Sequence, residues 1–425
     1  MSRRPTVRGE VAVPGDKSIS HRAVLFAALA EGISRVRGFL DAEDTNRTVG
    51  MMRALGTPVE RLSPTELRIG GVGLRGFSEP SDVIDAGNSG TTIRIGSGLL
   101  AGQPFLSVVT GDPYLRRRPM ARVVSPLTRM GASIWGREGD RFPPLCIRGG
   151  ALKGIRYEMP VASAQVKSAL LLAGLYADSP VTVVEPLPTR DHTERMLSAM
   201  GAAIAREGPS VTVHPAGRLD PVDRVVPGDI SSAAFFLVLA AVTPGSELTV
   251  RNVGVNPFRT GVLDVLRRMG AEIHYGNERS ECGEPSADIV VRGKELAGVR
   301  IAPEEVPGLI DEVPILCVAA AFADGRTEIR GAGELRVKES DRIGAMVQNL
   351  SALGVGCGEY PDGLWVEGSS TIRGGAACGS RGDHRIAMSM LVLGKAAGRE
   401  IAVDDTACID TSFPGFRAML EGLSG

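Results

Sequence analysis

Several short stretches combine residue types that can bind and rework a multiply charged anion. Val13-Pro14-Gly15-Asp16-Lys17-Ser18-Ile19-Ser20-His21-Arg22-Ala23 joins a Gly/Pro turn to cations and hydroxyls, and an apolar run follows from Val24. A turn that opens a helix aims unpaired backbone N–H groups and the positive end of the helix dipole outward. Lys17, Ser18 and Arg22 at that end make a site for an anion, most naturally a phosphate. Lys338-Glu339-Ser340-Asp341-Arg342 sets carboxylates among cations, though alone it also reads as an exposed i,i+3 ion pair. Gly382-Asp383-His384-Arg385 places cations at a helix start, where the dipole repels them and something anionic should compensate. Asn88-Ser89-Gly90-Thr91-Thr92-Ile93-Arg94 reads equally as a capped helix start or an anion turn. Arg116-Arg117-Arg118 taken singly is a solvated charge run, and His192 a hydrogen-bonded loop residue.

What positions these stretches is a repeat. Val226-Pro227-Gly228-Asp229-Ile230-Ser231-Ser232-Ala233 echoes the opening turn near the chain's middle. A polar loop followed by a small-residue apolar helix occurs six times, at about 18–30, 90–100, 164–176, 231–242, 312–322 and 384–397. A short β-branched run follows each helix, such as Leu106-Ser107-Val108-Val109 and Val181-Thr182-Val183-Val184. A second helix then closes on Leu-x-x-Met/Leu-Gly at Gly56, Gly131, Gly201, Gly270 and Gly354, with a looser copy ending at Gly422. Spacings of 75, 70, 69 and 84 residues are too long for a solenoid of helix pairs and suit a βαβαββ unit used three times in each of two domains. The polar clusters precede the first or second helix of a repeat, so converging helix N-termini would sum into a positive field.

Composition excludes other classes. At 425 residues two domains are expected, and a formal net charge of -1 argues against a general nucleic-acid binder. Six cysteines, Cys146, Cys282, Cys317, Cys357, Cys378 and Cys408, show no CxxC or regular spacing, so neither disulfides nor a metal site is expected. With no targeting or membrane-spanning segment apparent, the expectation is a cytoplasmic protein, monomeric, without metal or cofactor and with no nucleic-acid or membrane partner.

The motifs together resemble the 5-enolpyruvylshikimate-3-phosphate synthase family. They are Gly15-Asp16-Lys17-Ser18-Ile19-Ser20-His21-Arg22, Gly87-Asn88-Ser89-Gly90-Thr91-Thr92, Arg117-Arg118-Pro119-Met120, Ser163-Ala164-Gln165-Val166-Lys167, Arg190-Asp191-His192-Thr193-Glu194, Arg336-Val337-Lys338-Glu339-Ser340-Asp341-Arg342 and Gly382-Asp383-His384-Arg385-Ile386-Ala387-Met388. Ser-Ala-Gln-x-Lys and Arg-x-His-x-Glu are similar to the class II branch. The resemblance implies an α/β protein of two inside-out barrels, domain one at 14–226 and domain two at 227–425 plus 1–13, with the site in the cleft between them. It implies transfer of an enolpyruvyl group from phosphoenolpyruvate to the 5-hydroxyl of shikimate 3-phosphate, a step of aromatic amino acid and chorismate biosynthesis. Lys17, Ser18, Arg22, Ser163, Ala164, Gln165, Arg190, Asp311 and Lys338 would hold shikimate 3-phosphate. Lys17, Asn88, Gly90, Arg118, Gln165, Arg342 and Arg385 would hold phosphoenolpyruvate. For catalysis, Glu339 would move the proton at the methylene carbon and Asp311 would take or orient the 5-hydroxyl. Lys17 would stabilise the tetrahedral intermediate, and His384 would support Glu339 or the leaving phosphate.

Departures from the pattern are few. Thr411 stands where class I members carry a Lys, Ala164 replaces a hydroxyl, and Asn256-Pro257-Phe258-Arg259 replaces an Asn-x-Thr-Arg pattern. Gly90 has no Cβ to intrude on phosphoenolpyruvate, so glyphosate should compete with that substrate. The related UDP-N-acetylglucosamine enolpyruvyl transferases are the alternative. They place a reactive Cys on the loop that here reads Gly111-Asp112-Pro113-Tyr114-Leu115-Arg116-Arg117-Arg118, and they open on Lys-Asn rather than Lys17-Ser18.

Overall fold

The structure, a computed structural model, describes residues 6–369 and 371–423. It divides into two compact units, one of residues 15–226 with 281–284, the other of residues up to 14, 227–280 and from 285 onward. The sequence reading puts residues 281–284 in the second domain, yet they group with the first unit. Glu284 meets His192 Nδ1 there at 2.9 Å, and Arg195 donates to the Gly283 carbonyl at 2.9 Å.

Three inner helices form the centre of the first unit: α1 (Lys17–Leu29), α2 (Gly90–Ala101) and α3 (Ala164–Gly174). Their bodies are buried on every face, which is why the sequence shows a small-residue apolar run rather than an amphipathic stripe. A Cβ on Gly98 of α2 would lie 2.1 Å from the Ala169 carbonyl oxygen of α3, so the two helices meet backbone to backbone. Any larger residue at Gly98 forces them apart.

After each inner helix comes a strand: Glu31–Arg37, Leu106–Thr110 and Val181–Val184. An outer helix follows (Glu43–Ala54, Ala121–Arg129, His192–Ser198), then an antiparallel hairpin. A short strand then crosses to the next sheet. Ile84–Asp85 pairs parallel with Leu106–Thr110, and Arg156–Glu158 pairs with Val181–Val184. Arg224–Val225 returns to Glu31–Arg37, with Arg224 opposite Val36. That last pairing closes a ring of three four-stranded sheets around the helices.

The second unit repeats the plan around α4 (Ile230–Ala241), α5 (Val313–Phe322) and α6 (His384–Ala397). Strands Glu247–Gly254 and Arg326–Ile329 each belong to a four-stranded sheet. The N-terminal strand Arg8–Ala12 lies parallel to Glu247–Gly254, with Arg8 opposite Glu247. The sixth repeat departs from the expected unit: Ala402–Val403 pairs only with Ala377–Cys378, and no hairpin follows it among the described residues. The chain instead sends Phe413 and Phe416 onto α4, where they pack edge-on or tilted against Phe235 and Phe236 at centroid separations of 5.6–6.0 Å. Those rings bury the apolar face that a hairpin would otherwise cover, each fully buried ring contributing about 1.5–3 kcal/mol.

The outer helices end as the sequence predicts. Gly56, Gly131, Gly201, Gly270 and Gly354 all have φ between 80° and 111°, a region that disfavours any residue with a Cβ.

Candidate active site

In the first unit the inner-helix N-termini lie side by side. Asp16 caps α1 by accepting from the Ile19 N–H at 2.8 Å, and Ser89 caps α2 by accepting from Thr92. Ser163 caps α3 through the Val166 N–H. Lys17 begins α1, and its Nζ is 3.2 Å from Asp44 Oδ2. His21, one turn on and fully buried, places Nε2 3.4 Å from Asp44 Oδ1 and Nδ1 2.7 Å from Thr48 Oγ1. Thr48 continues to Thr92 and Ser89 through 2.7 Å contacts, binding α1 to α2. Burial works to raise the Asp44 pKa, but Lys17 and His21 outweigh it and hold the carboxyl well below the usual range.

A second cluster gathers at α2 and α3. Buried Arg94 donates to Gln165 Oε1 at 2.8 Å and to the Pro119 carbonyl at 3.3 Å. Gln165 in turn donates to Thr91 Oγ1 at 3.0 Å. Arg118 Nη1 lies 3.4 Å from the Asn88 carbonyl, and Asn88 donates to Asp112 Oδ2 at 2.9 Å. A Cβ on Gly90 would sit 3.1 Å from Arg118 Cζ and 3.1 Å from Arg94 Nη1. Gly90 therefore lets two guanidinium groups close over the start of α2, where the helix dipole already favours an anion.

Arg22 forms the third cluster. It is buried, and its three donors reach only neutral oxygens: Thr193 Oγ1 at 2.8 Å, Ser168 Oγ at 2.7 Å and the Ser18 carbonyl at 3.0 Å. Arg190 comes to 3.4 Å from Ser18 Oγ. Burial and then repulsion from Arg190 bring the Arg22 pKa down to about 10. Two cations held this close suit a dianionic group.

The second unit holds a separate network. Arg342 begins its helix with its side chain buried, donating from Nε to Asp383 Oδ2 at 2.8 Å and from Nη2 to Glu339 Oε2 at 2.6 Å. Asp311 Oδ1 lies 3.4 Å from Arg342 Nη1 and 3.8 Å from Lys338 Nζ. Burial acts to lower the Arg342 pKa, but Asp383, Glu339 and Asp311 reverse that and raise it. Asp383 also caps α6 through the Arg385 N–H at 2.9 Å and accepts from Ser340 at 3.1 Å. Arg385 Nη1 donates to the Asp311 carbonyl at 3.0 Å and lies 3.8 Å from Glu312. The anionic compensation expected for His384-Arg385 is thus internal, supplied by Asp383 and Glu312, with the Asp311 carbonyl as a neutral acceptor. His384 is buried at the start of α6, directly after Asp383.

Comparison with known proteins matches the chain to a family. EPSP synthase (3-phosphoshikimate 1-carboxyvinyltransferase) matches residues 2–420. A 3-phosphoshikimate 1-carboxyvinyltransferase of Desulforudis audaxviator is 55% identical over 98% of this chain and 97% of its own. One from Geobacter metallireducens is 55% identical over 98% and 96%. The chain belongs to the EPSP synthase family. An EPSP synthase structure from Acinetobacter baumannii has a TM-score of 0.89 at 45% identity, covering 99% of this chain and 96% of that one. The enolpyruvyl transferase NikO of Streptomyces tendae shares the fold at a TM-score of 0.78 and 17% identity, covering 99% of this chain and 96% of that one.

Against the EPSP synthase motifs, the first unit brings together Lys17, Ser18, Arg22, Asn88, Gly90, Arg118, Ser163, Ala164, Gln165 and Arg190 around the starts of α1–α3. The second unit brings together Asp311, Lys338, Glu339, Arg342, His384 and Arg385. Sequence reasoning passed over Asp44, Arg94 and Asp383. Each sits at or near a helix start, where an acid reads as an ordinary cap and an arginine as surface charge. Arg94 stood inside a quoted motif, four residues after Gly90, which was the available signal. His192 opens the outer helix His192–Ser198 rather than sitting in a loop, and its Nδ1 lies 2.9 Å from Glu284 Oε1. Thr411 donates to the Cys408 carbonyl at 2.7 Å. Among the described residues no group of three or more His, Cys, Asp or Glu could hold a metal, and no helix is long and apolar enough to cross a membrane.

Proposed function

We propose that the chain transfers the enolpyruvyl group of phosphoenolpyruvate to the 5-hydroxyl of shikimate 3-phosphate, releasing phosphate. The observation that carries this reading is a set of carboxylates seated directly on cations, with Glu339 2.6 Å from Arg342 and Asp311 3.4 Å from it. A site built only to bind anions gains nothing from added carboxylates, whereas proton transfer requires them.

In this reading Arg22, Arg190, Ser18, Ser163, Ala164, Gln165, Lys338 and Asp311 hold shikimate 3-phosphate. Arg118, Arg342, Arg385, Gln165 and the Asn88–Gly90 turn hold phosphoenolpyruvate, and Lys17 touches both substrates. In the addition step Glu339 gives a proton to the methylene carbon as the 5-oxygen bonds to the neighbouring carbon, and Asp311 accepts the hydroxyl proton. In the elimination step that methyl group returns a proton to Glu339, the carbon–oxygen bond to phosphate breaks, and Lys17 stabilises the departing oxygen. His384 supports Glu339 or the phosphate. The enzyme acts as a monomer in the cytoplasm.

Phosphate release from phosphoenolpyruvate tests the reading, with shikimate 3-phosphate and UDP-N-acetylglucosamine as parallel acceptors. Release should require shikimate 3-phosphate. Release with the sugar nucleotide alone would overturn the assignment.

A further inference from the structure

The side chain of Lys167 in α3 is 0% exposed, and the binding roles above make no use of it. Its ammonium meets three acceptors: Glu194 Oε1 at 2.7 Å, Glu185 Oε1 at 3.0 Å and the Thr189 carbonyl at 3.3 Å. These acceptors are spread along 185–194, the stretch that carries Arg190 and Thr193. Arg206 joins at 2.5 Å from Glu185 and 3.4 Å from Glu194, so two cations face two carboxylates. Desolvating such a group offsets much of its Coulomb gain, and an apolar core of equal volume would stabilise the fold as well or better. Fixed geometry is what the ionic arrangement adds.

The next residue on each element shows what is fixed. Ser168 follows Lys167, Thr193 precedes Glu194, and their hydroxyls are 2.7 Å apart. Both accept from the Arg22 guanidinium, at 2.7 Å and 2.8 Å. Arg190 directly follows the Thr189 carbonyl that Lys167 holds. The ion pair and the hydroxyl pair are thus adjacent rungs joining 185–194 to α3, and both guanidinium groups hang from the second rung or its neighbour.

We propose that Lys167 is a positioning residue: by clamping 185–194 at three points, it sets the spacing of Arg22 and Arg190 that receives the phosphate of shikimate 3-phosphate. This rests on the function proposed above. It favours one substrate, because Arg118, Arg342, Arg385 and the Asn88–Gly90 turn, assigned to phosphoenolpyruvate, hang from other elements, and Gln165, which shares α3 with Lys167, is held by Arg94 and Thr91 rather than by 185–194.

The test is steady-state kinetics of Lys167→Met and Glu194→Gln, with Met52→Ala, a fully buried side chain of the outer helix Glu43–Ala54, as a core truncation. Lys167→Met should raise KM for shikimate 3-phosphate about tenfold or more, with kcat and KM for phosphoenolpyruvate within about threefold of the parent. Glu194→Gln should give a smaller rise of the same selectivity. Met52→Ala should lower the melting temperature and leave both KM values alone, a pattern that a purely structural Lys167 would share. A folded Lys167→Met whose KM for shikimate 3-phosphate stays within about twofold, or whose two KM values rise together, overturns the proposal. If Lys167→Met does not fold, Glu194→Gln decides by the same selectivity. Titration with inorganic phosphate runs alongside. If the parent protein fails to turn over the substrate pair, the function falls, while weaker phosphate binding in Lys167→Met still supports the clamp and unchanged binding removes it.

Discussion

Replacing Asp383 by Asn changes one charge and almost no volume. The side chain is fully buried and accepts from Arg342 Nε at 2.8 Å, Ser340 Oγ at 3.1 Å and the Arg385 N–H at 2.9 Å. Asn caps helices about as well as Asp, so the start of α6 should survive the change. The loss falls on Arg342. Breaking a buried ion pair costs about 3–5 kcal/mol where the remaining charge is left uncompensated. Glu339 and Asp311 still face this guanidinium, so about 2–3 kcal/mol is expected for Asp383→Asn, and about 1 kcal/mol more for Asp383→Ala, which also loses the cap. Urea unfolding of the two variants against the parent measures both. The pH dependence has a definite sign. Burial acts to raise the Asp383 pKa, but Arg342 overrides it and the result lies below the ordinary value. A depressed carboxylate stabilises the fold fully above its unfolded pKa of about 3.9 and loses that contribution as pH falls through the folded value. The gap between parent and Asp383→Asn should therefore be flat above about pH 5 and shrink in acid. A gap under about 0.5 kcal/mol at neutral pH, or one that widens on acidification, would refute the reasoning.

Other expectations concern the reaction. Lys17→Met should abolish phosphate release while shikimate 3-phosphate still binds by titration, and loss of that binding would move Lys17 from chemistry to substrate capture. Glu339→Gln should lower kcat by about 100-fold or more, since an amide cannot carry the proton. Gly90→Ala puts a methyl 3.1 Å from both Arg118 Cζ and Arg94 Nη1, so a guanidinium group must shift by a few tenths of an ångström. KM for phosphoenolpyruvate should rise about two- to tenfold with stability changed by under about 1 kcal/mol. Glyphosate should compete with phosphoenolpyruvate in the parent and compete less well in Gly90→Ala. Inhibition constants measured at several phosphoenolpyruvate concentrations check both points.

Inner helices were legible in the sequence to within about two residues, because burial on every face leaves an unbroken small-residue run between polar turns. The strand after each helix was legible too: Val181–Val184 was expected and found over the same residues. What local pattern does not carry is partnership. Nothing near Arg224-Val225 says that it pairs with Val36-Arg37, 188 positions earlier, since parallel crossing strands are matched only by the closed ring. The shortened sixth repeat was missed for a related reason, since an aromatic cluster in place of a hairpin is a tertiary solution. At the site, cations were found because Arg and Lys before an apolar helix contradict the dipole. Of the carboxylates that orient them, Glu339 and Asp311 were named, but Asp44 and Asp383 were not singled out, because they agree with the dipole. Lys167 and Glu194 stood in the quoted motifs, but their distance in sequence hid that they are a pair.

Strand Arg8–Ala12 is the first regular segment among the described residues, yet its partners are Glu247 to Arg251, about 240 residues downstream. The first unit closes its own ring with Arg224–Val225 and needs nothing made later apart from residues 281–284. On the ribosome, residues 15–226 can therefore condense while the leading strand waits as an unpaired edge, competent to join any other exposed strand. Maturation of the second unit is then gated by the capture of this early strand by one made about 240 residues later. Amino-terminal fusions that delay this recapture should lower soluble yield without touching a substrate contact.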